Sequence, residues 1–63
     1  MRKYNIFANR DVKNFKTPKE IEAFIKKEYN LFAVCGVVVR DIWCLWIDSK
    51  CTNEQAHEIL NRI

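Results

Sequence analysis

The sequence predicts a small α+β domain in which two helices cover one face of a three-stranded sheet. Three segments carry alternating or β-branched apolar residues, a pattern typical of strands. Two others begin with a helix-capping pattern and continue with apolar residues at helical spacing. Because the chain has only 63 residues, we expect a single domain over residues 1–63 with a modest core.

The first helix is the most clearly marked element. Thr17 and Glu20 form a capping-box pattern around Pro18, a residue favoured at the first helical position. Apolar residues then recur along one stripe as far as Tyr29, and Asn30 is typical of a left-handed helix end. These signals predict a helix that begins after Thr17 and ends near Tyr29.

Three strands and a second helix account for most of the remaining chain. Residues 3–8 alternate between polar and apolar, residues 31–39 are almost wholly apolar, and residues 42–48 carry both tryptophans. A Thr-Asn-Glu-Gln capping pattern at residues 52–55 begins the second helix, which we expect to continue to residue 63. The predicted order is therefore β-α-β-β-α.

The connections restrict the strand order. A helix between the first two strands makes them parallel, and a tight turn at Arg40 and Asp41 makes the third strand antiparallel to the second. The third strand could lie at the edge or between the other two. Because it carries almost no charge before Asp48, we favour the central position. The prediction is a mixed sheet of order 1-3-2, a split β-α-β arrangement.

Side-chain alternation then divides the hairpin into two faces. A turn at residues 40–41 pairs Val39 with Ile42 and Val38 with Trp43. The bulkier face is predicted to pack on the helices and consists of Phe32, Val34, Gly36, Val38, Trp43, Leu45 and Ile47. The other face is predicted to be open and consists of Ala33, Cys35, Val37, Val39, Ile42, Cys44, Trp46 and Asp48. A shift of one residue would exchange the faces, yet either choice leaves apolar side chains uncovered.

Such an uncovered face needs a cover. At roughly 25 cal/mol per Å² of apolar surface, leaving it in water forgoes several kcal/mol, which is comparable with the stability of a small domain. Three covers are considered: a second copy of the chain, a different protein, or the basic segment of residues 9–16 folding over the face through Val12 and Phe15.

Signals of catalysis and metal binding are weak. His57 lies one helical turn from Glu54 and Glu58, which is also the ordinary composition of a solvated helix face. Cys51 precedes a helix N-terminus, where the helix dipole can lower a thiol pKa, but no base is aimed at it. We therefore predict no enzyme activity, no cofactor and no metal.

The cysteines indicate a compartment rather than a reaction. Cys35, Cys44 and Cys51 form an odd set without the two-residue spacing of zinc knuckles or redox pairs. Such thiols are typical of a reducing interior, so we expect a cytoplasmic protein.

The charge distribution favours nucleic acid as a second hypothesis. Residues 1–27 contain eight basic and three acidic residues, a charge of +5, whereas residues 28–63 carry −2. Trp46 with Tyr4 or Phe7 could form a platform for single-stranded bases. The candidate phosphate contacts are Arg2, Lys3, Arg10, Lys13 and Lys16. Against this hypothesis, the third strand lacks the basic-Gly-aromatic pattern of RNA-recognition domains.

The favoured hypothesis is a non-catalytic protein-interaction module that binds another protein or a second copy of itself. Its size and its Lys-, Asn- and Ile-rich composition suggest an inhibitor or regulator encoded by a phage or mobile element. The candidate contact residues are Trp46, Ile42, Val37, Val39 and Arg40.

Overall fold

The computed structural model describes all 63 residues. The elements are β1 (Arg2–Phe7), α1 (Pro18–Tyr29), β2 (Ala33–Val39), β3 (Ile42–Ile47) and α2 (Asn53–Arg62). This order confirms the predicted α+β fold. The predicted strand ends differ from the observed ones by at most two residues.

The strand order is β1-β3-β2, which confirms that the third strand is central. Both pairings are antiparallel. The sheet is therefore antiparallel throughout, whereas we expected a mixed one. The physical reason is that β1 and β2 run in the same direction but are separated by the reversed β3, so no parallel pair of neighbours exists.

Local capping explains where the helices begin and end. The Thr17 hydroxyl accepts a hydrogen bond from the Glu20 N–H at 3.4 Å and donates one to the Glu20 carboxylate at 3.1 Å. Asn30 ends α1 in the left-handed region, with φ of 53°. Thr52 and Gln55 form a complete capping box at the start of α2.

Both helices pack on the same face of the sheet. Neither helix is long and apolar enough to cross a membrane. All twelve buried residues are apolar. Each helix contributes an apolar stripe and each strand contributes the side chains of one face. The core residues are Ile6, Ile21, Ile25, Leu31, Ala33, Cys35, Leu45, Ile47, Cys51, Ala56, Ile59 and Ile63.

A β-bulge next to the hairpin turn changes which residues of β2 face the helices, compared with the prediction. Val39 pairs with Ile42 as expected, but Trp43 pairs with Val37 instead of Val38, because the register shifts between Val37 and Val39. The assignment of β3 was right, since its Leu45 lies in the core.

The assignment of β2 was wrong by one residue. Ala33 and Cys35 face the helices, whereas Val34 and Gly36 face away from them. The cause lies in the turn, where Asp41 has a positive φ of 69° but Arg40 does not. The type I′ turn that keeps two strands in simple register needs a positive φ at both positions, and here the bulge absorbs the difference.

The basic segment of residues 9–16 packs on the helix layer. The Phe15 ring lies 5.1 Å from the Phe24 ring of α1. The N–H groups of Lys13 and Asn14 donate hydrogen bonds to the carbonyl of Ile63, at 3.1 and 2.8 Å. Val12 and Phe15 therefore pack against the core and do not fold over the other face of the sheet, so this alternative was wrong.

The two tryptophans should differ sharply in their effect on stability. Trp43 is half-buried against the core, so Trp43→Ala should lower the free energy of unfolding by about 2–4 kcal/mol. Trp46→Ala should cost about 1 kcal/mol or less, because Trp46 is 44% exposed. Urea denaturation followed by circular dichroism measures both values, and equal losses would contradict the face assignment of β3.

Candidate functional site

The side of the sheet opposite the helices is uncovered, and we call it the open face. Its most exposed large side chains include Val38, which is 60% exposed, and Trp46, which is 44% exposed. The open face consists of Lys3, Asn5 and Phe7 from β1, Ile42, Cys44 and Trp46 from β3, and Val34, Gly36, Val38 and Val39 from β2.

The strand registers arrange the open face in three rows across the sheet. The first row is Lys3, Trp46 and Val34. The middle row is Asn5, Cys44 and Gly36, and the third is Phe7, Ile42 and Val39. The middle row has the smallest side chains, so the face is lowest at its centre.

A groove of about 270 Å³ lies over this depression on the β2 side. Gly36 and Cys44 lie in the middle row, while Trp46 and Val34 border the groove at one end. A Cβ atom placed on Gly36 meets no atom within 4 Å, so this glycine leaves open space above the sheet. The groove is therefore able to receive a bulky apolar side chain.

Comparisons with protein-family models, curated proteins and solved structures found no match to this chain.

The charges around the open face are unequally neutralised. Arg10 lies over the Phe7 ring, 4.5 Å from its centroid, and forms an ion pair with Asp11 at 3.2 Å. Arg40 at the hairpin turn lies 3.9 Å from the Asp41 carboxylate. Lys3, which lies beside Trp46, forms no ion pair. The Lys3 ammonium group is therefore available to pair with an acidic group of a binding partner.

On each outer strand, a carboxylate accepts a hydrogen bond from a backbone N–H group. The Phe7 N–H of β1 donates to Asp11 at 2.9 Å, and the Cys35 N–H of β2 donates to Glu22 at 2.9 Å. A further strand would have to displace these negatively charged acceptors in order to pair with either edge. The open face, and not an edge, is thus the more accessible surface for association.

Three of the five predicted contact residues meet on the open face, namely Trp46, Ile42 and Val39. Val37 is in register with the helix-side residues, but at the bulge it also borders the groove. Arg40 lies in the hairpin turn. The sequence reasoning missed three groove residues, Val34, Gly36 and Val38, because the bulge that turns β2 over left no recognisable signal in the sequence.

The candidate phosphate contacts are dispersed. Arg2 donates from Nε to the Cys51 carbonyl at 2.9 Å, and Lys13 and Lys16 belong to the segment that packs on the helix layer. Only Lys3 and Arg10 border the open face. The basic half of the sequence does not form one continuous basic surface there.

The thiols have contrasting surroundings. Burial, followed by the nearby Glu22 carboxylate, raises the pKa of the Cys35 thiol to about 11. Burial also raises the pKa of the Cys51 thiol, and the smaller opposing effect of the nearby Arg2 does not reverse this rise. Cys44 borders the groove.

The polar face of α2 places His57 in an open depression with Glu54 and Glu58. His57 is exposed, and Glu58 accepts a hydrogen bond from the Tyr29 hydroxyl at 2.5 Å. No cluster of three or more metal-ligating side chains is present.

Gly36→Val should fill the groove without harming the fold. The new side chain meets open space, φ is not positive, and valine favours strands more than glycine does, so stability should be equal or higher by up to about 1 kcal/mol. Thermal unfolding followed by circular dichroism is the measurement. A clear loss of stability would mean that the space above Gly36 is needed by the fold itself.

Alkaline pH should destabilise the protein through Cys35. Well below pH 9, the ordinary pKa of a thiol, Cys35 is protonated in both the folded and the unfolded state. As the pH rises from 9 towards 11, the unfolded thiol ionises first, so the free energy of unfolding should fall. Urea titrations at several pH values measure this slope. In Cys35→Ala, the free energy of unfolding should fall less steeply with pH. An unchanged dependence on pH would mean that the Cys35 thiol is not the cause of the alkaline destabilisation.

Proposed function

We propose that the protein is a non-catalytic interaction module, an inhibitor or regulator that acts by docking its open face on another protein. The observation that carries this proposal is the exposed Trp46 beside the groove over Gly36, on an apolar sheet face that neither helix covers. Soluble monomers rarely retain a contiguous apolar patch of this kind without a binding role.

The energetics support docking over simple exposure. Each 100 Å² of apolar surface removed from water contributes about 2.5 kcal/mol, before the cost of association is subtracted. Tryptophan is among the residues that most often dominate binding energy, particularly near the centre of an interface. Trp46 lies on the central strand, with Lys3 and Val34 on either side of it, in an end row of the open face next to the groove.

The chemistry of the open face describes its partner. The groove fits a bulky apolar side chain, since it is bordered by valines and by Trp46. Lys3 lacks an intramolecular ion pair and fits a carboxylate of the partner at the border of the contact. We therefore propose a partner protein with an apolar protrusion flanked by acidic residues.

The cysteines support a reducing location for this activity. Cys35, Cys44 and Cys51 are all free thiols. Because disulfides form readily in oxidising compartments, we propose a cytoplasmic location.

Single-stranded nucleic acid is the second candidate partner. Phe7 and Trp46 are both partly exposed on the open face, and each has a cation next to it, Arg10 and Lys3 respectively. However, Arg10 is already paired with Asp11, and valines occupy much of the β2 side of the face. Binding through phosphate contacts would be strongest at low salt and would weaken as salt is added.

Substitutions on the open face should separate these alternatives. Trp46→Glu should abolish capture of a specific protein from an extract of the native host, because it places a charge in an apolar contact. Lys3→Glu should weaken the same interaction about tenfold. The matched control is Lys27→Glu on α1, which should bind like the original chain, and quantitative mass spectrometry of the captured proteins gives the comparison.

Two results would contradict the proposal. One is capture of the same proteins by the original chain and by Trp46→Glu, provided that circular dichroism shows both to be folded. The other is salt-sensitive binding of a single-stranded oligonucleotide that is lost in Trp46→Glu, which would favour nucleic acid instead.

A further inference from the structure

The outer edge of β2 has no charge of its own. β2 is an edge strand of the sheet, and residues 31–39 contain neither a charged residue nor a proline. Val37, Val38 and Val39 are each more than half exposed. An uncharged, valine-rich edge strand is the kind of segment that pairs readily with further strands. The other edge strand, β1, differs because it carries Arg2 and Lys3.

A carboxylate of α1 supplies the protection that β2 lacks. The Cys35 N–H donates to Glu22 at 2.9 Å, and therefore points away from β3, the only neighbour of β2. The other Glu22 oxygen lies 3.8 Å from the Lys19 ammonium group, and the Glu22 side chain is only 22% exposed. Both carboxylate oxygens are thus engaged, which holds the side chain in place at the edge.

Glu22 occupies the middle of the outward-facing backbone groups. Alternate residues of an antiparallel edge strand direct their N–H and C=O groups outward. Ala33 and Val37 therefore direct theirs to the same side as Cys35. An approaching strand meets the carboxylate before it can form the central pair of hydrogen bonds. We propose that Glu22 holds the β2 edge closed, and that without this contact the edge pairs with β2 of a second molecule.

The charge pattern favours another β2 strand as the occupant of the opened edge. Each molecule has a net charge of +3, but residues 31–39 are uncharged, so the paired strands bring no like charges into contact. Two three-stranded sheets would join into one continuous sheet whose ends are the charged β1 strands. Association therefore stops at a dimer. This pairing uses the edge of the sheet and does not depend on docking of the open face.

Glu22→Ala in the full chain tests the proposal. Because a charge-assisted hydrogen bond is lost, the Cys35 amide hydrogen should exchange with solvent about tenfold faster or more in dilute solution, as measured by NMR. In sedimentation velocity, Glu22→Ala should form a dimer whose fraction rises with concentration. The original chain should form none of this dimer over the same concentrations.

Two control variants separate the edge contact from charge and from stability. Glu54→Ala makes the same change in net charge at an exposed site on α2. Ala56→Gly weakens α2 at a buried position without altering β2. Both variants should stay monomeric.

Two second substitutions in Glu22→Ala identify the surface that associates. Val37→Lys places a charge on the exposed edge strand and should restore the monomer. Trp46→Glu changes the open face and should leave the dimer intact.

The proposal is overturned if Glu22→Ala keeps its circular dichroism spectrum and stays monomeric, or if either control variant dimerises to the same extent. It is also overturned if the dimer survives Val37→Lys or is lost with Trp46→Glu. Should Glu22→Ala unfold, Glu22→Gln replaces it, because the carboxamide keeps an acceptor oxygen but forms a weaker bond. Faster exchange at Cys35 and a weaker dimer are then expected, and a folded monomer with unchanged exchange is the contrary result.

Discussion

The limited length of the two helices is the constraint on which the rest of the structure depends. α1 has 12 residues and α2 has 10, and their apolar stripes are both used on one face of the sheet. The segment of residues 9–16 also packs on the helix layer. Apart from Arg10, which lies over Phe7, no side chain of the helix layer covers the other face, although β2 carries apolar side chains on both of its sides. An apolar open face therefore follows from the ratio of sheet to helix in this chain.

The edges of the sheet carry charged groups, whereas the centre of its open face does not. Asp11 and Glu22 place carboxylates on amide groups of the outer strands, which discourages pairing with further strands. No charge interrupts the centre of the open face, where Cys44 and Gly36 adjoin Trp46. Edge pairing depends on the backbone and accepts many sequences, whereas face packing depends on side-chain shape. The protein thus limits its less selective surface and leaves its more selective one accessible.

The sequence contained enough information for the element order, because the signals that determine it are local. Thr17 and Asn30 mark the ends of α1 through interactions within one helical turn. The face of β2 depended instead on a single bulge, which arises from the left-handed conformation of Asp41 and from pairing across the hairpin. A shift of one residue moves every side chain of a strand to the opposite face. The prediction of an open apolar face was confirmed nonetheless, because residues 33–39 are apolar in either register, whereas membership of the groove could not be predicted.

Gly36 is the residue of the open face for which the fold itself gives the least reason. It is the only glycine in the chain, its φ is not positive, and no atom lies close enough to exclude a side chain. Glycine within a strand costs about 0.5–1 kcal/mol relative to alanine, and that cost is large for a domain with twelve buried residues. No requirement of the backbone or the core offsets this cost. The one property that glycine provides at this position is the depth of the groove beside Trp46, and this depth is what the proposed docking of a partner requires.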